Sequence, residues 1–387
     1  MKFGLDSLQE WKELRRFQKL DEKNRKIVFY LENEYYATYF EKLIKELTNV
    51  HGLTICYVTS SKTDPILNSN NDKILAFYVG DGTARTNFFM NLKADILVMT
   101  MPDLETFHIK RSKVHNVHYV YAFHSIVSTH MIYRKKAFDS FDTILCVGRH
   151  HVDEISKNEK KYGLQPKKLI EFGYGKLDLL MDEVEKNREI KSLEKPNRTI
   201  LIAPTWCPNG LIETRGDELI QTLLDSDYDV ILRPHPITYK KSQKIIKNIE
   251  KKFQKNIHFK LELDIRNSNS FFLADCMISD WSGVAMEFAF GLEKPVLYMD
   301  LPKKINNQDY ESLEIIPLEE KIRTQIGAII SPMELTKMSS KIENLCSNND
   351  QIRKKIQAIR KETVFNLGKS EKYGAKYLLE YLARKNK

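Results

Sequence analysis

Short apolar runs rich in Val, Ile and Tyr, most of them followed by a helical pattern, recur along this chain and leave it few ways to fold. Strands are expected at Lys26–Tyr30, Leu53–Thr59, Ile74–Val79, Ala94–Thr100, Val117–Phe123 and Thr143–Val147, with helices over Glu34–Leu47 and Arg149–Lys157. Runs apolar on both faces and separated by helices are the mark of a parallel sheet covered on both sides. The composition then turns charged around Asp182–Arg198 and ends in Lys195-Pro196-Asn197, the best linker candidate. A second series follows. Its strands are Thr199–Ala203, Asp229–Leu232, Ile257–Leu261, Cys276–Ser279 and Pro295–Met299, and its helices Asp217–Leu224, Lys241–Phe253 and Val284–Phe290. From Met333 onward the tail reads as helical and very basic. Sheets of this kind bind ligands beyond the carboxyl ends of their strands.

A length of 387 residues suits two domains, each with its own core. Two consecutive Rossmann-like halves make an α/β, GT-B-like architecture the expectation: two domains facing a cleft, with a C-terminal helical tail. The expected division is 1–190 as the acceptor-side domain and 191–387 as the nucleotide-donor domain. Hydrophobic residues are 42% and charged residues 29%, which excludes a disordered or membrane-embedded chain. No apolar run reaches the roughly 18 residues of a spanning helix, and the opening lacks a secretory signal. A cytoplasmic protein is expected. Cys56, Cys146, Cys207, Cys276 and Cys346 are far apart and form neither a disulfide framework nor a zinc signature.

The formal charge of +9 points to anionic substrates, an anionic membrane surface or simply a lysine-coated exterior. No nucleic-acid-binding pattern accompanies it, so no nucleic acid is expected as partner. Leu5, Leu8, Trp11, Leu14, Phe17 and Leu20 share one face of an opening helix, with Lys12, Arg15, Arg16 and Lys19 nearby. That pattern fits a helix packed on the first domain, with an interfacial membrane contact as the further reading.

Two constellations carry the chemistry. Leu232-Arg233-Pro234-His235-Pro236 follows a strand directly, and its prolines stiffen the turn so that Arg233 and His235 present donors to phosphate oxygens. Ile278-Ser279-Asp280-Trp281-Ser282-Gly283 ends another strand and opens a helix, whose first N–H groups suit a diphosphate. Ser279, Asp280 or Ser282 serves equally well as an ordinary N-cap. Glu287, one turn in, either reaches a ribose or is structural. Thr205-Trp206 offers stacking or packing, Gly173-Tyr174-Gly175 an acceptor-side lining, and Gly80-Asp81-Gly82 a turn. His150 and His151 lack a third ligand at metal spacing.

RPHP, followed by SDWSG, EFAFGLEKPVLYMD and the later FNLGKS, resembles the CDP-glycerol glycerophosphotransferase family of teichoic-acid polymerases and primases, over roughly Thr199 to Ser370. The resemblance implies that Arg233 and His235 bind a donor pyrophosphate and that Ser279, Asp280, Ser282 and Gly283 close around phosphate and acceptor-side oxygens. It also implies a general-base role for His124, which matches the histidine of the family's His-Gly pair. The chain also departs from the family's motifs. Ser125 replaces the glycine after that histidine, the proline and lysine that follow it in the family are missing, and Gly283 replaces the second of two adjacent serines.

The function so implied is transfer of an alditol phosphate from a CDP-linked donor to a glycan or lipid-linked acceptor in bacterial surface-polymer synthesis. It would proceed at the inner face of the membrane, with no metal or cofactor required. The alternatives are a GT-B glycosyltransferase using a nucleotide sugar, a nucleotide-sugar 2-epimerase, and a non-enzymatic basic binding protein.

Overall fold

The computed structural model describes residues 5–186, 196–264 and 268–385. Most of the expected linker, 187–195, lies outside them. The chain divides into two compact units. Unit 1 comprises Met1–His124, Tyr133–Leu179 and Val364–Lys387, and unit 2 comprises Ser125–Ile132 and Leu180–Thr363.

Unit 1 is built on a parallel seven-stranded sheet: β1 (Ile27–Leu31), β2 (Ile55–Thr59), β3 (Ile74–Tyr78), β4 (Ile96–Met99), β5 (His118–Ala122), β6 (Thr143–Cys146) and β7 (Lys168–Glu171). The strand order is β3-β2-β1-β4-β5-β6-β7. Every residue of β1, Ile-Val-Phe-Tyr-Leu, is buried, as expected for a strand with helices on both faces. The opening helix Leu5–Gln18 packs on this unit. Phe17 is buried edge-on to Phe77 and Phe88, at ring separations of 5.4 and 5.2 Å, whereas Leu8 is 62% exposed.

Unit 2 carries a parallel six-stranded sheet of β8 (Thr199–Ile202), β9 (Asp229–Leu232), β10 (Phe259–Leu261), β11 (Cys276–Ser279), β12 (Val296–Met299) and β13 (Gly327–Ile330), in the order β10-β9-β8-β11-β12-β13. Its core joins Ile200, Ile202, Val230, Leu232, Ile278 and Leu297 to the helices Leu211–Leu224, Gln243–Phe253 and Met338–Ser347. In each sheet the strand order reverses beside the first strand of its series, between β1 and β4 and between β8 and β11. Those switch points are where doubly wound sheets open a crevice for ligand.

The tail differs from the expected division. Helices Met338–Ser347 and Asn349–Thr363 stay with unit 2, but the last helix, Ser370–Lys385, joins unit 1. Its Ala375, Tyr377, Leu378 and Leu382 are buried in the same cluster as Phe29, Phe40 and Leu43. The turn before it is fixed by the buried Asp178, whose carboxylate accepts the N–H groups of Gly368 (2.7 Å) and Ser370 (3.0 Å) and the Ser370 hydroxyl. The FNLGKS stretch is thus a docking turn: Phe365 N–H donates to the Val147 carbonyl at 2.8 Å and Asn366 Nδ2 donates to that of Glu171 at 2.6 Å.

Among the described residues no helix is long and apolar enough to cross a membrane.

Candidate active site

Seven of the eight site residues expected from sequence lie in unit 2, at or just beyond the carboxyl ends of β9 and β11. The turn after β9 begins with Arg233, whose N–H continues the ladder to the Ile202 carbonyl of β8 (2.9 Å). Its side chain is buried. Nη1 donates to Ser270 Oγ at 2.9 Å and lies 3.4 Å from Glu262 Oε2, and the guanidinium stacks over Phe271 at 4.9 Å. Burial pulls its pKa down, against Glu262, Glu287 and Asp264, which support the charge. Glu287 is itself buried, one turn inside the helix Gly283–Leu292.

His235 is half-buried and caps the short helix Pro236–Lys241: its Nδ1 accepts the Ile237 N–H at 3.1 Å. In the neutral ring Nδ1 is then the bare nitrogen, and Nε2 carries the proton that can be donated to an anion.

After β11 the residues separate into supports and presenters. Ser279 is fully buried and its hydroxyl donates to the Ala203 carbonyl at 2.8 Å, tying β11 to β8. Asp280 is buried as well, with Oδ1 accepting the Thr205 N–H at 2.7 Å. Desolvation pushes its carboxyl up to about 6, although that hydrogen bond and Lys304 favour the charged form. Trp281 packs beneath Arg323 at 4.1 Å and donates Nε1–H to the Leu301 carbonyl at 2.8 Å. Ser282 stands at the N-cap position, but its side chain makes no capping hydrogen bond. A phosphate-facing hydroxyl at the mouth of a helix would look like this, with the Gly283 and Val284 amides beside it.

Segment 125–132 belongs to the same unit and is clasped by Glu319, which accepts the Ser128 N–H (2.9 Å) and hydroxyl (2.7 Å). The segment lies against Gly283: a Cβ there would collide with Ser125 Oγ and press on Val127 Cγ1 at 3.3 Å.

No sequence pattern singles out Lys304, in the loop after β12. It is half-buried, its ammonium donates to Thr205 Oγ1 at 3.2 Å, and the Asp280 carboxylate favours its charge. Three loops therefore meet at the β8/β11 switch point, carrying Thr205, Asp280 and Lys304. Only the fold brings them together.

His124 belongs to unit 1, two residues beyond β5. Its Nδ1 lies 3.1 Å from the Thr100 carbonyl, which can only accept. In the neutral ring Nδ1 therefore carries the proton and Nε2 the basic lone pair. Tyr36, Tyr39 and Tyr133 meet the imidazole edge-on at ring separations of 5.4, 6.3 and 6.0 Å. Glu32, at the end of β1, is held above the usual carboxylate range by burial, with Arg85 opposing.

The remaining candidates are placed as follows. His151 is buried against Phe123 and accepts the Val147 N–H at 3.3 Å. Trp206 is half-buried with Lys241 over its ring at 4.4 Å. Gly82 precedes the helix Thr83–Met90. Among the described residues no group of three or more His, Cys, Asp or Glu is arranged to hold a metal ion.

The sequence matches the family described as CDP-Glycerol:Poly(glycerophosphate) glycerophosphotransferase over residues 13–361. No curated protein matches it. Among solved structures, the wall teichoic acid polymerase TagF soaked with CDPG superposes with a TM-score of 0.61 at 16% identity, covering 98% of this chain and 94% of that one. The UDP-GlcNAc 2-epimerase of Methanocaldococcus jannaschii, in complex with UDP-GlcNAc and UDP, gives 0.58 at 15% identity over 92% of this chain and 99% of that one. The Neisseria meningitidis UDP-GlcNAc 2-epimerase bound to UDP-GlcNAc gives 0.59 at 13%, over 92% and 100%. At such identities the likeness establishes an α/β, GT-B-like fold and nothing finer. The family match reaches further: this chain belongs to the CDP-glycerol:poly(glycerophosphate) glycerophosphotransferase family and is an enzyme of that family.

Proposed function

We propose that the protein transfers glycerol phosphate, or a similar alditol phosphate, from a CDP-linked donor to a hydroxyl of a glycan or lipid-linked acceptor in surface-polymer synthesis. What supports this reading is that Arg233 and His235 follow β9 while Ser282-Gly283 follow β11, the two strands that flank β8 in unit 2, so that all stand beyond the carboxyl ends of one parallel sheet. Together they offer charge, a directed donor and backbone amides to one diphosphate. Ser279 and Asp280 hold the loops that present them.

The acceptor hydroxyl attacks the donor's β-phosphorus in line. The new P–O bond forms as the bond to the bridging oxygen breaks, and CMP departs with that electron pair. The acceptor's proton passes to His124 Nε2. Little covalent work falls to the protein in such a transfer, which rests on positioning and on offsetting charge. The basic opening helix, with Leu8 exposed, would suit an acceptor held at an anionic inner membrane face. Flotation with anionic vesicles at low salt tests that part, and failure to co-float removes it.

The donor is tested by a thermal-shift series with CDP-glycerol, CDP, CMP, UDP and UDP-sugars. Ligands that bind the folded state alone raise its apparent stability by mass action. Stabilisation by cytidine compounds is expected; preference for uridine compounds would replace this reading with a sugar transferase.

A further inference from the structure

Lys304 and Thr205, which the scheme above does not use, form a cluster with Asp280, to which that scheme gives only the holding of a loop. An ammonium has three donors. That of Lys304 spends one on Thr205 Oγ1, at 3.2 Å. Asp280, the carboxylate that most favours its charge, is committed through Oδ1 to the Thr205 N–H at 2.7 Å. Its Oδ2 is buried with no hydrogen-bond partner. Burying a lysine disfavours its charge, and desolvation does lower the pKa of Lys304. A fold that places a cation there needs an anion to offset that penalty, and one carboxylate shared with a backbone N–H does so only partly. The place is also specific: Thr205 follows β8, Asp280 follows β11, and β8 and β11 flank the point where strand order reverses.

We infer that Lys304 is a donor-binding residue whose ammonium, oriented by the Thr205 hydroxyl, contacts the phosphate oxygens of the nucleotide diphosphate. Asp280 then acts as a positioning residue: it fixes the Thr205 backbone and keeps Lys304 charged, without touching phosphate, which it would repel. In the transfer step Lys304 faces the group that gains charge, the departing nucleoside monophosphate, and no proton need move. This inference rests on the proposed use of a CDP-linked donor.

The test is calorimetric titration of the full chain with CDP-glycerol, CDP and cytidine, for wild type, Lys304→Met, Lys304→Arg and Thr205→Val. Loss of a charge-assisted hydrogen bond predicts at least about tenfold weaker CDP and CDP-glycerol binding by Lys304→Met, with cytidine affinity unchanged. Lys304→Arg should recover part of the loss, and Thr205→Val should show a smaller weakening of the same kind. Should Lys304→Met not fold, Thr205→Val decides. Diphosphate affinity equal to wild type in a folded Lys304→Met, or in Thr205→Val when Lys304→Met does not fold, overturns the inference. Wild type that binds neither cytidine diphosphate would instead overturn the proposed donor, a separate outcome read in a separate arm.

Discussion

Ser125 Oγ fills the space that a Cβ on Gly283 would need. These are two of the positions at which the sequence departs from the motifs it resembles, a serine in place of glycine and a glycine in place of serine. In the folded unit they are neighbours. A hydroxyl absent from the helix mouth is supplied from the segment lying against it, so the two departures read as one compensated exchange.

Gly283→Ser alone should therefore overpack the helix start and cost roughly 1–3 kcal/mol. Adding Ser125→Gly should restore most of that stability. Urea unfolding of the two single variants and the double variant measures the coupling; strictly additive effects would show that the two sites do not share space.

His124→Ala should lower turnover by roughly 10²–10⁴ while leaving donor affinity unchanged, because the proposed donor site lies in unit 2. Steady-state kinetics beside donor titration separate the two. Turnover near wild type would remove His124 from proton transfer.

Arg233 and His235 stand together in sequence but should fail differently. Arg233→Ala leaves Glu262 buried without its cation and should cost roughly 3–5 kcal/mol of stability. His235→Ala removes one cap of a short helix, worth about 1 kcal/mol, so weakened donor binding in that variant reports the phosphate contact itself. Denaturant midpoints read alongside donor affinity test this.

Asp280 gives stability a pH dependence of definite sign. Its carboxyl titrates near 3.8 when unfolded and is pushed up to about 6 by burial in the fold. The folded state thus binds the proton more tightly. The contribution is complete below about pH 4 and is lost as pH rises through 6, on the order of 3 kcal/mol in all. Asp280→Asn should flatten that segment of the stability profile. An unchanged slope between pH 4 and 6 in the variant would assign it to another group.

Much of this was readable beforehand, for identifiable reasons. β1, β6 and β11 are uninterrupted apolar runs because helices cover both their faces, and their positions follow from sequence to within a residue or two. The edge strands β7 and β13 were missed. β7 exposes Lys168 and Glu171 and so lacks the apolar signature. β13 opens with Gly327, which only a residue without a side chain can fill, since a Cβ would run into the Val296 backbone. The turn after β9 and the helix mouth after β11 were legible because each is local in the chain. Lys304 was not: one lysine among 61 basic residues becomes distinctive only when three loops far apart in sequence converge. The sequence marks Arg233 as a phosphate donor at a strand end, yet its commitments to Ser270 and Glu262 depend on partners that no local pattern announces.

The closing helix has a consequence for how the protein is made. Its Leu378 and Leu382 complete a core begun by Ile27 and Phe29, so the first sheet to leave the ribosome is the last to be finished. Translation delivers the whole of unit 2 while the nascent amino-terminal half still shows an uncovered apolar face, a natural client for chaperones. A chain stopped short of residue 364 should yield not two intact units but an aggregation-prone fragment.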